Sequence, residues 1–152
     1  MLLPVRKFLQ LDREHRGLFL QAWVRLGGVR FELQSKSFKE LTAGLTLHRP
    51  PFEPPGLHAE AMTQARRVGW AVRAAPRFTP WQSTCLVQVL AAQRMLQERL
   101  LPGAFYIGAV PGAGEAGAEG LEAHAWLKCG NTFITGEAGH ARYAVVSVFG
   151  WQ

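Results

Sequence analysis

From Leu18 onward apolar side chains recur at Leu18, Phe19, Ala22, Trp23, Leu26 and Val29, the three-and-four spacing of one helix face. Asp12 precedes the run as a cap, with Glu14 in the first turn, so the pattern predicts an amphipathic helix. Gly27-Gly28 is expected to bend or end it, and Ser37 to cap a shorter helix reaching Leu45. The run Arg49-Pro-Pro-Phe-Glu-Pro-Pro-Gly56 excludes regular structure, because proline fixes φ and has no amide donor; it reads as a linker or arm. Leu57 to Ala75 returns to helical spacing, with Ala61, Ala65, Val68 and Val72 on one stripe and Pro76 stopping it.

The second half begins with a further predicted helix, Pro80 to Leu100, ended by Pro102-Gly103. The period then changes. Phe105, Ile107 and Ala109 alternate as in a strand; Val110 to Gly120 is a Gly-rich, flexible loop; Leu121–Cys129, Thr132–Thr135 and Tyr143–Phe149 are rich in β-branched and aromatic residues and read as three more strands. The expected fold is α+β, a helical N-terminal region over 1–78 for docking and packing, with the linker 49–56, then a core over 79–152 in which a central helix packs on a small antiparallel sheet. The two are expected to form one compact unit.

Composition narrows this. A chain of 152 residues, 48% hydrophobic and 18% charged, is about one globular domain, large enough to bury roughly 68–70% of its unfolded surface. No apolar run reaches the ~18 residues that span a bilayer, and Met1 to Lys7 lacks the features of a signal peptide, so no stable membrane insertion and a cytoplasmic location are expected. The net charge of +6 is uneven: residues 1–78 carry 13 Lys and Arg against 6 Asp and Glu, the remainder 4 against 5. No basic run is interleaved with aromatics, which argues against nucleic acid; a solvated basic helix face, or a dock for an acidic protein or peptide, accounts for the charge.

Candidate chemistry centres on Cys85. In Thr79-Pro-Trp-Gln-Ser-Thr-Cys85 either Thr79 caps the helix, with Gln82 closing a capping box, or Ser83 or Thr84 caps it and Cys85 opens the first turn. Both starts set the thiol near helix-end N–H groups, which stabilise a thiolate; the competing reading is a buried structural thiol on the stripe of Val89, Ala92 and Leu96. His124 is the candidate base. Gly130-Asn131 reads as a two-residue hairpin turn, and that register sets Cys129 opposite Thr132, Trp126 opposite Thr135 and His124 opposite Glu137, whose carboxylate would orient the imidazole; a slip of one residue undoes this. Glu137 also reads as a solvated loop acid and Asn131 as a turn residue, though an amide can complete a Cys–His site. Thr135 is a weaker alternative. Cys85, Cys129, His124 and His140 fit no zinc spacing, so no metal or other cofactor is expected.

Trp81-x3-Cys85-Leu86, a helix, Phe105-Tyr-Ile-Gly-Ala-Val110 and Ala123-His-Ala-Trp126, in that order, resemble the transglutaminase-like cysteine peptidases of lasso-peptide biosynthesis, the stand-alone B-protein leader peptidases. The resemblance covers Thr79 to Gly150. It implies a papain/transglutaminase-like core, Cys85 as nucleophile, His124 as base, and removal of the leader from a ribosomally made precursor peptide. A small leader-recognition protein would present the precursor, and a macrolactam cyclase resembling asparagine synthetase would act on the freed amine. The family's usual third aspartate is missing, which leaves Glu137, Asn131 or no third residue. Oxyanion donors would be the Cys85 N–H together with the Gln82 or Trp81 side chain, with Trp81 and Trp126 as walls of the site. Acyl transfer to an amine, and a non-catalytic scaffold for leader or cyclase, are the alternatives. A Cys–His site requires the two side chains within or near hydrogen-bond reach.

Overall fold

Asp12 caps the first long helix: its carboxylate accepts from the His15 backbone N–H at 2.8 Å, and α2 runs from Arg13 to Ser35, behind a short α1 (Leu2–Gln10). The computed structural model describes residues 2–111 and 121–152. The glycine pair does not end α2. Gly27 lies under the Trp81 ring, where a Cβ would stand 2.9 Å from ring carbons, so this glycine is a packing notch inside a continuous helix. Ser37 forms a capping box with Glu40, but the helix it starts is a single turn, α3 (Phe38–Leu41). The chain then forms β1 (Thr46–His48), a strand too short for alternation to announce.

α4 (Ala59–Ala74) buries Ala61, Ala65, Val68 and Val72, the stripe read from spacing, and passes into a 3-10 turn, Ala75–Phe78, that contains Pro76. The next helix, α5, starts at Cys85 and ends at Glu98, later than Pro80. Thr84 is its cap, its hydroxyl accepting from the Val87 N–H at 3.3 Å. Thr79 instead donates within the preceding turn, to the Pro76 and Trp81 carbonyls at 3.0 Å, and forms no capping box with Gln82. Helices α2, α4 and α5 pack through Leu26, Val29, Val68, Val72, Leu90 and Met95, all fully buried. Arg94 grips the Glu32 carboxylate with two guanidinium nitrogens, tying α5 to α2 and holding that carboxyl below its usual range.

The sheet is antiparallel, in the order β1-β5-β2-β3-β4, with β2 at Gly103–Pro111, β3 at Leu121–Cys129, β4 at Thr132–Thr135 and β5 at Ala144–Trp151. Val110 and Pro111, expected in the loop, extend β2; the rest of the expected Gly-rich loop, 112–120, lies outside the described residues. Helical and strand content of 51% and 23% makes the fold α+β. The inner face of the sheet packs Phe105, Ala125, Leu127, Ile134 and Trp151 into the helical core. The outer face gathers Ala104, Tyr106, Trp126 and Val148 into a second cluster. The Pro-rich segment covers that cluster: the Tyr106 hydroxyl donates to the Phe52 carbonyl at 2.7 Å, and Glu53 meets Lys128 at 2.9 Å.

Candidate active site

Cys85 is the first residue of α5, half-buried against the helical core. At that position the backbone N–H groups of the first turn have no helical acceptors of their own. Cys129 has the opposite setting. It is fully buried on the inner face, and burial pushes its thiol up to about 12, which keeps it protonated and inert.

His124 stands on β3, opposite Gly108 of β2. Alternation along β3 turns Ala125, Leu127 and Cys129 toward the helices and His124 with Trp126 toward the outer face, where the two rings lie 5.7 Å apart. The hairpin starts in the expected register, Cys129 opposite Thr132 and Lys128 opposite Phe133, but a bulge then sets Leu127, not Trp126, opposite Thr135. Ile134 and Thr135 both turn inward and are buried as a result. The expected pairing of His124 with Glu137 is therefore lost. Glu137 is exposed, and His124 Nε2 donates instead to the carbonyl of Gly136 at 2.8 Å. A carbonyl only accepts, so this bond puts a proton on Nε2, and in the neutral ring the lone pair is then on Nδ1. Gly136 has φ +78, and a Cβ there would stand 2.4 Å from the Ala125 carbonyl oxygen, so the carbonyl reaches His124 only because residue 136 is glycine.

Asn131 is exposed at the hairpin tip, beyond Cys129, the end of β3, which is itself roughly 17 Å along the strand from His124, so it does not complete the site. One residue that the pattern did not single out does flank the imidazole. Tyr143 places its ring 5.2 Å from that of His124 and donates its hydroxyl to Glu122 at 2.7 Å. The Glu122 acceptor raises the Tyr143 phenol above its ordinary value, burial and the Glu122 charge add to this, Arg142 opposes it, and the anionic form of Cys85 acts in the raising sense. Cys85 is thus in electrostatic reach of the group that flanks His124. Gly108 makes the approach possible, since a Cβ there would meet Tyr143 Cβ at 2.7 Å and the Trp126 ring at 2.8 Å. An isolated glycine within an alternating strand was the one signal for this crowding.

Among the described residues Cys85 and His124 share no hydrogen bond: Cys85 packs against the helical core, and the imidazole is bonded to the Gly136 carbonyl. The expected donors differ too. Trp81 packs beneath α2 with its ring 4.8 Å from Trp23, its buried Nε1 without a partner among the described residues, while Gln82 is exposed. Trp126 is 3% exposed, stacked on Tyr106 with centroids 5.7 Å apart, and is a wall of the outer cluster.

A family model described as the transglutaminase-like superfamily matches residues 26–148. The chain belongs to this superfamily. The match starts inside α2 and runs into β5, so it includes both the start of α5 and the strand that bears His124. Transglutaminase-like proteins generally include cysteine peptidases and acyl transferases. No curated protein and no solved structure matches the chain. Among the described residues no helix is long and apolar enough to cross a membrane.

Proposed function

We propose that this transglutaminase-like protein is a cysteine peptidase that removes the leader from a ribosomally made lasso-peptide precursor in the cytoplasm. The observation that carries the chemistry is the imidazole itself: Nε2 is anchored on the Gly136 carbonyl, which leaves Nδ1 as the base on a strand packed beside the helix that Cys85 opens. The resemblance of Cys85-Leu86, the Tyr106-Ile-Gly108 strand and Ala123-His-Ala-Trp126 to the leader peptidases supports the substrate.

In this reading His124 Nδ1 takes the Cys85 proton and the thiolate attacks the scissile carbonyl, forming the S–C bond. The Cys85 N–H, free at the helix start, donates to the oxyanion. His124 returns its proton to the departing amine as the C–N bond breaks, and the same Nδ1 then activates the water that hydrolyses the thioester. Free enzymes commonly hold such pairs loosely and tighten them around substrate, so thiol and imidazole close up when the peptide enters. A small leader-recognition protein presents the precursor, and a macrolactam cyclase resembling asparagine synthetase takes the freed amine.

The test is mass analysis of precursor peptide incubated with the full chain, with and without the recognition protein and an added amine. Hydrolytic loss of the leader, abolished by Cys85→Ala, is the expected result. An aminated product identifies an acyl transferase instead, and undiminished cleavage by Cys85→Ala rejects the cysteine mechanism.

A further inference from the structure

Away from Cys85 and His124, helices α1, α2 and α4 leave a groove of about 820 Å³, a volume typical of sites that enclose several side chains. Its walls are Phe8, Phe19, Leu20, Trp23, Trp70 and Phe78, with Leu20 53% and Phe78 46% exposed. Apolar surface of this kind is costly to leave in water and marks an interaction site when it is contiguous and rimmed by polar groups. The rim here carries one sign of charge. Lys7, Arg73 and Arg77 line the groove, no acidic residue does, and among the described residues none of the three cations pairs with a carboxylate. All three are exposed, but the Arg73 guanidinium donates to the Ile134 carbonyl, which leaves Lys7 and Arg77 as the cations without a side-chain hydrogen bond among the described residues.

Two further observations say what occupies it. One wall of the groove, within residues 5–23, precedes the family match, while the other, Trp70 to Phe78, lies inside it. The groove also adjoins the nucleophile's own segment. Trp23 donates to the Phe78 carbonyl at 3.0 Å and packs on Trp81, so whatever fills the groove touches Trp23 and Phe78, which hold the segment leading into Cys85.

We infer that the groove binds a stretch of the substrate peptide outside the cleaved bond, one with apolar side chains on one face and carboxylates on the other. The apolar face fills the aromatic trough, and the carboxylates meet Lys7 and Arg77. This rests on the reading of the chain as an enzyme acting on peptides, but it is tested without catalysis.

The experiment uses the full chain as Cys85→Ala and follows anisotropy of a fluorescein-labelled amphipathic helix with Leu and Phe on one face and Glu on the other, alongside the same peptide with Lys for Glu. The Glu peptide should bind at least tenfold more tightly than the Lys peptide, weaken as salt rises, and lose tenfold or more when Lys7→Glu and Arg77→Glu are combined. Both residues are exposed, so that variant keeps its fold, checked by circular dichroism. Equal binding of the two peptides, or no effect of the reversal, overturns the proposal. So does a dimer dispersed by Phe78→Glu, or uptake onto lipid vesicles, in the absence of peptide binding. If the wild-type chain fails to cut precursor while the Glu peptide still binds, the peptidase reading falls and the groove stands; cleavage without groove binding gives the reverse.

Discussion

One strand, β3, serves two unlike regions of this molecule. Its inward residues Ala125, Leu127 and Cys129 join an aliphatic core shared with three helices, whereas its outward residues Glu122, His124 and Trp126 sit among aromatic rings and hydrogen-bonding groups. The inner face is uniform, and its role is exhausted by burial. The outer face is mixed, with polar groups held at fixed distances by a bulge, two glycines and a Pro-rich cover. The two cysteines differ as well: Cys129 is fully buried in the core, while Cys85 is half-buried at the start of α5.

Substitutions that separate the two regions should therefore separate activity from stability. The largest effect is expected from Cys85→Ala, with turnover down on the order of 10³-fold or more and a urea midpoint close to wild type; His124→Ala should lose 10²–10⁴-fold on the same terms. Loss of stability without loss of turnover in either variant would break the contrast. Leu127→Ala, one position from Trp126 but on the opposite face, should lower unfolding free energy by about 2–5 kcal/mol while the remaining folded protein keeps its turnover per molecule. Gly136→Ala belongs to both regions. A left-handed backbone and a Cβ clash should cost about 1–2 kcal/mol or more, and loss of the carbonyl from Nε2 should lower turnover as well; a fall in stability alone would reject the carbonyl's orienting role.

The pH behaviour sharpens the cysteine contrast. The folded-state Cys129 thiol lies above its unfolded value of 9.0, so its contribution to stability is complete below that value and is lost as pH rises toward about 12. The slope is about 1.4 kcal/mol per pH unit for the one proton. Tyr106, raised to about 12 mainly by burial, adds to the loss above its ordinary 10.0. Unfolding titrated from neutral to alkaline pH should show this loss, with Cys129→Ala flattening its first part. In native protein iodoacetamide should modify Cys85 and spare Cys129; the opposite order would overturn the assignment. Glu137→Gln should have the smallest effect, within about twofold in turnover, because its exposed carboxylate takes no part in the His124 bond.

Most elements were legible because each is a local pattern. The stripe of α4, the hairpin around Gly130-Asn131 and the span of β3 all follow from spacing within a few residues. The failures share a cause as well. Gly27-Gly28 read as a bend or end of the helix because the partner of Gly27, Trp81, is distant in sequence; that the Pro-rich segment lies on the sheet was not legible, because Tyr106 and Lys128, which hold it there, lie far along the chain. Thr84 was among the possible caps, yet spacing did not choose it over Thr79.

By itself the sequence determined the fold class, the reactive residue types and the order in which Cys85 and His124 enter a helix and a strand. Tertiary structure decided what each side chain meets. It replaced the Glu137 carboxylate by the Gly136 carbonyl through one bulged residue, brought Tyr143 beside the imidazole with its hydroxyl on Glu122, and joined three helices into a groove with a basic rim. The physical reason is that periodicity assigns a residue to a face, whereas its neighbours across that face depend on register and packing between segments distant in the chain.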